Sequence, residues 1–161
     1  MTSSDWFIRS AIPHAPIATR VAMRLLVGMP APRERILGLI LAGEVEEVGS
    51  SVTRFSVGDR VYAFTKFHFG ADAQYTCLRE SSTVAIAPAN LSLAEAATIP
   101  YGGLLALPYL RKGQVGEGQT ILVYGASGGV GTSAVQLART MGAHVAGVCG
   151  PSTVELVRSL G

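Results

Sequence analysis

The chain has 161 residues, a formal net charge of +2 and a mean hydropathy of +0.37. This length can bury a substantial core in one domain or in two incomplete ones. With 15% charged residues and no run of lysine or arginine, the composition argues against a nucleic-acid-binding surface.

The hydropathy pattern argues against a membrane span and against export. The longest apolar candidate, residues 36–48, is interrupted by glycines and by Glu44, whereas a span needs about 18 uninterrupted apolar residues. The first residues, M-T-S-S-D-W-F-I-R, lack the basic start and apolar core of a signal peptide. We therefore expect a cytoplasmic protein, in which Cys77 and Cys149 are small buried residues rather than metal ligands.

The first half of the chain predicts one helix followed by short strands. Ile17, Val21 and Leu25 recur at helical spacing, and a glycine with two prolines would end this helix. Apolar and alternating runs predict strands at residues 36–41, 44–48, 61–64, 73–78 and 83–87. Ala42-Gly43 would bend or bulge the chain between the first two strands. This half is expected to form a small β-barrel or sandwich.

After residue 90 the pattern changes to alternating strands and helices. Ser92 and Glu95 have the spacing of a capping box that opens a helix, and residues 99–110 predict a second helical stretch broken by glycines and prolines. The remaining predicted elements are a strand at 121–124, a helix at 132–141, a strand at 144–148 and a helix at 152–160. This alternation predicts a parallel, doubly wound sheet.

The glycine-rich turn after the strand at 121–124 is the main candidate binding site. Ala126, Gly128 and Gly131 have the spacing of the dinucleotide fingerprint, with Ala in the first glycine place. Gly128 would let a pyrophosphate approach the backbone, Gly131 would let the helix pack closely, and the helix start would offer free N–H groups. The alternative is a tight turn without a ligand. The predicted cofactor-binding residues of the turn are Ala126, Ser127, Gly128, Gly129, Val130 and Gly131.

The residues after the strand at 144–148 favour NADP over NAD. An NAD site would place an acidic residue about 20 residues beyond the glycine turn, and residues 148–151 contain none. Ser152 and Thr153 follow at a predicted helix start, where hydroxyls and N–H groups could hold a 2′-phosphate, and Arg158 could add charge. Alternatively, Ser152 forms only a capping box with Glu155.

Several motifs in order along the chain resemble those of the medium-chain dehydrogenase/reductase superfamily, and most closely its zinc-independent, quinone-oxidoreductase-like (zeta-crystallin-like) branch. They lie at residues 36–49, 57–61, 70–75, 96–104 and 125–131. The resemblance implies an α/β protein. A GroES-like β-barrel catalytic domain, at residues 1–98 and incomplete at its start, would precede the first half of a Rossmann NADP-binding domain at residues 99–161. It also implies hydride transfer between NADP(H) and a quinone, enone or other carbonyl compound.

The same resemblance argues against zinc. Zinc enzymes of the family carry a cysteine near the start, a His-Glu pair after the glycine of the first strand motif, and a later cysteine. Thr2 and the pair Leu39 and Ile40 stand at the first two of these places, and no cysteine lies near Pro100. Leucine cannot bind a metal, so we expect no catalytic zinc.

Without a metal, hydroxyl groups and water would polarise the substrate carbonyl. Ser3, Ser4 and Tyr101 are the candidate catalytic hydroxyls by motif position. Leu105 stands where the branch often has threonine, which removes one expected contact to the nicotinamide.

The resemblance also implies a chain that is truncated at both ends. Three interpretations follow. The chain is a reductase fragment that has little or no activity alone, a non-catalytic remnant that still binds cofactor or a partner, or a homodimer in which two chains complete each other by swapping.

Overall fold

The computed structural model describes residues 16–19, 21–22 and 36–161. Residues 17–19 and 21–22 are helical, in line with the predicted helix, whereas Leu25 lies outside the described residues. The chain divides into two compact units, residues 1–97 and 98–161. In the described part, no helix has the length and apolar character needed to cross a membrane.

The first unit contains a three-stranded antiparallel sheet in the order β1-β2-β3. Its strands are β1 (Ile40–Glu44), β2 (Arg60–Phe64) and β3 (Val84–Ile86). Val61 and Ala63 of β2 are buried, as the alternation of side chains along a strand requires, and they form a core with Leu37 and Ala87. Over the described residues this sheet is open rather than a closed barrel.

Two strand predictions in this unit are wrong. Ala42-Gly43 does not separate two strands, because both residues lie inside β1 and pair in regular register with Tyr62 and Val61. Residues 73–78 form no strand although their sequence alternates. They are exposed, and alternation specifies a strand only where one face has a core to cover. Cys77 is accordingly exposed, and Cys149 is only half-buried, so their predicted burial is wrong as well.

The segment around Gly38 is held by close backbone contacts. Gly38 has a φ of +93°, and a side chain there would overlap the backbone N of Asp72. The buried hydroxyl of Thr65 donates to the carbonyl oxygens of Gly38 (3.1 Å) and Leu39 (3.2 Å). Because a buried hydroxyl without a partner is costly, these bonds make Thr65 compatible with its apolar surroundings.

The Glu80 carboxylate connects two loops of the first unit. It accepts hydrogen bonds from the backbone N–H groups of Arg54 and Thr53, the latter at 2.8 Å. The Arg54 guanidinium in turn donates to the Glu80 carbonyl oxygen at 2.8 Å. The backbone hydrogen bonds from Arg54 and then Thr53 hold the pKa of Glu80 below its ordinary value of 4.5.

The second unit packs three helices on one face of a two-stranded parallel sheet. Its strands are β4 (Thr120–Tyr124) and β5 (His144–Val148). The helices are α1 (Leu93–Lys112), which begins in the first unit, α2 (Gly129–Thr140) and the short α3 (Val154–Ser159). Buried Leu110, Ala138 and Ala143 form the core and pack against Ile121 and Val145 of the sheet. The α/β fold class is as predicted.

Helix α1 is continuous, so the predicted break between residues 92 and 110 is wrong. It begins with the predicted capping box: Ser92 N–H donates to Glu95 Oε2 at 2.8 Å, and Glu95 N–H donates to Ser92 Oγ at 3.2 Å. Pro100 and Pro108 lie inside the helix, where a proline costs about 3 kcal/mol. Burial along one side of the helix, at Ala96, Ala106 and Leu110, offsets this cost.

The other helices differ from prediction at their starts. Helix α2 begins at Gly129 rather than at residue 132. The stretch predicted as one helix from Ser152 divides into a 3₁₀ turn, Pro151–Thr153, and α3. The capping box of Ser152 with Glu155, the alternative to a role in phosphate binding, is absent: Thr153 is the N-cap residue of α3, and it has no side-chain capping bond. The Glu155 carboxylate instead accepts from Arg158 Nη1 at 2.8 Å.

We predict that Glu80→Gln loosens the loop at Thr53 and Arg54 at neutral pH. A lowered pKa in the folded state means that the stabilisation by Glu80 is complete above pH 4.5 and is lost as the pH falls through the lower, folded-state pKa. Amide hydrogen exchange at residues 53 and 54 should be several-fold less protected in the variant at pH 7, and the two proteins should converge in acid. Glu47→Gln, at an exposed carboxyl outside this contact, is the control. Equal protection at pH 7 in wild type and variant would contradict the assignment.

A second prediction concerns the glycine pair of α1. A side chain at Gly102 would overlap Ser133 Oγ and the Gly129 carbonyl oxygen, whereas at Gly103 it would meet only Ile99 Cγ2, at 3.9 Å. Gly102→Ala should therefore lower the free energy of unfolding by about 1–3 kcal/mol. Gly103→Ala should raise it by up to about 1 kcal/mol, because alanine favours helix. Urea unfolding of both variants measures the difference, and equal effects would show that the contact at Gly102 is not close.

Candidate cofactor-binding site

The glycine-rich turn connects β4 to α2 at the carboxyl end of the sheet. Gly125 has a φ of +77°, in the region that favours glycine. The N–H groups of Gly125 and Ala126 both donate to the Val148 carbonyl oxygen, at 3.0 and 2.9 Å. The turn is therefore held against the end of β5, at the edge where parallel α/β sheets bind ligands.

Gly131 allows α2 to begin directly against this turn. A side chain there would overlap the Gly125 carbonyl oxygen and lie 2.9 Å from Ala126 Cα. Ala126 in turn is fully buried, and a side chain at Gly147 would lie 3.1 Å from its Cβ. Alanine in the first place of the fingerprint is thus accommodated because residue 147 is glycine.

The start of α2 presents backbone N–H groups without side chains in front of them. Gly128 is the N-cap in an extended conformation, and the Thr132 N–H donates to its carbonyl oxygen at 2.8 Å. The amides of residues 129–131 precede that bond, in the helical turn whose N–H groups have no intrahelical acceptor. A side chain at Gly129 would meet no atom within 4 Å. The turn is therefore small, open and electropositive, which suits a phosphate group.

The residues proposed for a 2′-phosphate lie just after β5. Ser152 is exposed, whereas the Thr153 hydroxyl donates to the Gly150 carbonyl oxygen at 3.1 Å. The Arg158 guanidinium is paired with Glu155 at 2.8 Å, and their side chains are 72% and 85% exposed. An exposed pair of this kind contributes little stability, so Arg158 can exchange partners readily.

Of the three predicted catalytic hydroxyls, only that of Tyr101 belongs to the described part of the structure. Ser3 and Ser4 lie outside the described residues. Tyr101 is half-buried in α1, next to Gly102, where α1 contacts the first turns of α2. Of the two residues at the expected zinc-ligand place, Leu39 is buried and Ile40 is half-buried. Among the described residues, no group of three His, Cys, Asp or Glu side chains could hold a metal ion.

Gly102 and Ser133 lie next to the turn, and the residue pattern had not predicted this contact. Ser133 Oγ and the Gly129 carbonyl oxygen fill the space where a side chain at Gly102 would stand. The available signal was the Gly102-Gly103 pair inside a helical pattern, since a helical glycine often marks a close approach of another backbone.

Comparison with known proteins adds family relationships to this geometry. Residues 3–109 match the alcohol dehydrogenase GroES-like domain. The chain is 43% identical to the chloroplast envelope quinone oxidoreductase homolog of Arabidopsis thaliana over 129 residues, which cover 75% of this chain and 39% of that protein. It is 40% identical to a quinone oxidoreductase of Pseudomonas aeruginosa over 159 residues, covering 98% of this chain and 44% of that protein.

Solved structures of quinone oxidoreductases and related proteins also align with this chain. The quinone oxidoreductase from Coxiella burnetii aligns with a TM-score of 0.78 and 29% identity, over 100% of this chain and 48% of that one. A mycobacterial protein solved in complex with NADPH aligns with a TM-score of 0.68 and 33% identity, over 81% of this chain and 41% of that one. The chain thus spans less than half the length of these relatives.

The contacts of the turn predict different effects for its two helical glycines. Gly131→Ala should lower the free energy of unfolding by about 1–3 kcal/mol, because the overlapped atoms belong to the backbone and cannot turn away. Gly129→Ala should be neutral or stabilising, because its side chain would stand in open space. Thermal unfolding compares the two variants. A Gly131→Ala protein as stable as Gly129→Ala would refute the close packing of α2 on the turn.

Proposed function

Because the chain belongs to the medium-chain dehydrogenase/reductase superfamily, through its alcohol dehydrogenase GroES-like domain, we propose that it serves in NADP(H)-dependent hydride transfer. The proposed substrate is a quinone, an enone or another small carbonyl compound. The observation that carries the proposal is the open turn whose helix-start amides lie at the carboxyl end of β4 and β5. The names of the relatives, which are quinone oxidoreductases, support the reaction class.

The residues of the turn fit the pyrophosphate of a dinucleotide. Gly128 and Gly129 would leave the backbone accessible, and the amides at the start of α2 would donate to phosphate oxygens. Ala126 and Gly131 would keep the turn and the helix in contact, while Ser127 and Val130 complete the loop. When bound, NADPH would supply the hydride from C4 of its nicotinamide ring and would leave as NADP+.

The preference for NADP over NAD is supported by the chain after β5. Residues 149–153 contain no carboxylate to accept from a ribose hydroxyl. The exposed Ser152, with Thr153 and Arg158 close in sequence, would bind the 2′-phosphate. Arg158 would leave Glu155 for the phosphate, which carries more charge and accepts more hydrogen bonds. A relative solved in complex with NADPH supports this preference.

Catalysis is proposed to be independent of zinc. Leu39 and Ile40 have no atoms that can ligate a metal at the place where zinc enzymes of the family have ligands. A hydroxyl group would instead donate a hydrogen bond to the substrate carbonyl oxygen and stabilise the charge that develops there. Tyr101 is the candidate within the described residues, and Ser3 and Ser4 are the others.

The second candidate function is partner binding, and the bare face of the sheet in the second unit favours it. Leu122 and Tyr124 of β4 are 68% and 87% exposed, and Val148 of β5 is 38% exposed. Parallel sheets are normally covered on both faces. A remnant that binds a partner protein through this face, or a homodimer formed by swapping, would cover it. Sedimentation should then show a dimer, and a monomer at all concentrations would rule out the swapped form.

Fluorescence titration tests the main proposal. NADPH should bind the wild-type chain saturably and NADH more weakly. Gly128→Ala should weaken NADPH binding about tenfold or more, because its methyl group would stand where the pyrophosphate approaches the backbone. Gly116→Ala, at a glycine where a side chain would meet only the Gln114 carbonyl oxygen, at 4.0 Å, is the control and should bind as wild type. Because a side chain at Gly128 would itself lie 3.3 Å from the Gly125 carbonyl oxygen, thermal unfolding of Gly128→Ala should show that this variant remains folded. Absence of NADPH binding by the wild type would refute the proposal.

Two further measurements separate cofactor choice from catalysis. Ser152→Asp places a carboxylate where a 2′-phosphate would bind, so it should reduce the preference for NADPH over NADH by repulsion. Oxidation of NADPH at 340 nm, with a benzoquinone, an enone and an aldehyde offered separately, measures turnover and its substrate class. Saturable NADPH binding without turnover of any of the three would favour the non-catalytic interpretation.

A further inference from the structure

The hydroxyl of Ser133 lies between α1 and the first turn of α2. It donates to the Gly129 carbonyl oxygen at 3.2 Å. It also fills the space beside Gly102, where any side chain would overlap it. The position of Ser133 is therefore limited from two sides, by its own helix and by α1.

The first turn of α2 consists of residues that favour helix poorly, so its orientation depends on contacts beyond the helix's own backbone hydrogen bonds. Gly129, Gly131, Thr132 and Ser133 all have lower helix propensity than alanine, and a helix of 12 residues gains little from length alone. Two side-chain hydroxyls share one acceptor in this turn, since Thr132 Oγ1 also donates to the Gly129 carbonyl oxygen, at 3.3 Å. Ser133 also lies against Gly102 of α1.

We propose that Ser133 is a positioning residue for the pyrophosphate site. Its hydroxyl, held between Gly102 and the Gly129 carbonyl oxygen, keeps the first turn of α2 in the orientation in which its amides receive a phosphate. The inference rests on the proposed dinucleotide-binding function and deepens it. Amides already in place lose little freedom when the ligand binds, so their prior ordering contributes directly to affinity.

Ser133→Ala separates positioning from simple structural support. Alanine favours helix more than serine, so the variant should unfold at the same temperature as the wild type or higher. Loss of the hydroxyl should nevertheless weaken NADPH binding roughly threefold to tenfold, the equivalent of about one hydrogen bond. The amide of Thr132, which bonds to Gly128 in the same turn, should exchange its hydrogen faster in the ligand-free variant.

Thr140→Ala is the matched control. Its hydroxyl donates to the Gln136 carbonyl oxygen at 2.9 Å, the same type of bond at the opposite end of the same helix. This variant should bind NADPH as tightly as wild type.

Three outcomes of these binding and stability measurements lead to different conclusions. Wild-type binding with unchanged affinity in Ser133→Ala would overturn the positioning role and leave the proposed function intact. A Ser133→Ala protein that loses affinity only together with thermal stability would reduce Ser133 to a structural residue. Absence of NADPH binding by the wild type would overturn both proposals.

Discussion

The close approach of α2 to the turn after β4 is the constraint on which the second unit depends. Gly131 permits it by lacking a side chain next to the Gly125 carbonyl oxygen. The Val148 carbonyl oxygen, which accepts from Gly125 and Ala126, joins the same turn to the end of β5. Strand, helix start and second strand are thereby fixed relative to one another. A pyrophosphate that bound there would meet amides already held by these contacts. Little of its binding free energy would then be lost to reorganisation of the turn.

The same glycines that open this turn weaken the helix that follows it. Glycine costs about 1 kcal/mol relative to alanine inside a helix. The glycines within residues 128–131 therefore make the backbone amides accessible but lower the stability of the helix start. The hydroxyls of Thr132 and Ser133 both donate to the Gly129 carbonyl oxygen, and Ser133 also lies against Gly102, so side chains orient the turn while its backbone amides remain the groups offered to a phosphate. In this short segment, backbone amides are the groups proposed to bind phosphate, and side-chain hydroxyls are the groups that orient the backbone.

Features marked by residues close together in the sequence were predicted correctly, whereas features that depend on tertiary packing were not. The capping box of Ser92 and Glu95 depends on two residues three positions apart, and the strands on either side of α2 are marked by short apolar runs; the structure contains all of these features. The continuous helix through Pro100 and Pro108 was not predictable from propensity, because burial along one side of α1 outweighs two unfavourable residues. The strand predicted at residues 73–78 is absent for the opposite reason: its alternation favours a strand, but no core lies beside it among the described residues, and the residue pattern does not contain that information.

The sequence by itself determined the α/β class, the family resemblance and the glycine spacing of the turn, because these reside in residue types at short, fixed separations. Only the tertiary structure decided how side chains with several possible partners are used. Glu155 pairs with Arg158 instead of capping a helix with Ser152. Ser133 lies against Gly102, a residue 31 positions earlier in the chain. Such choices depend on which backbone is brought close by packing, and residue spacing along the chain does not contain that information.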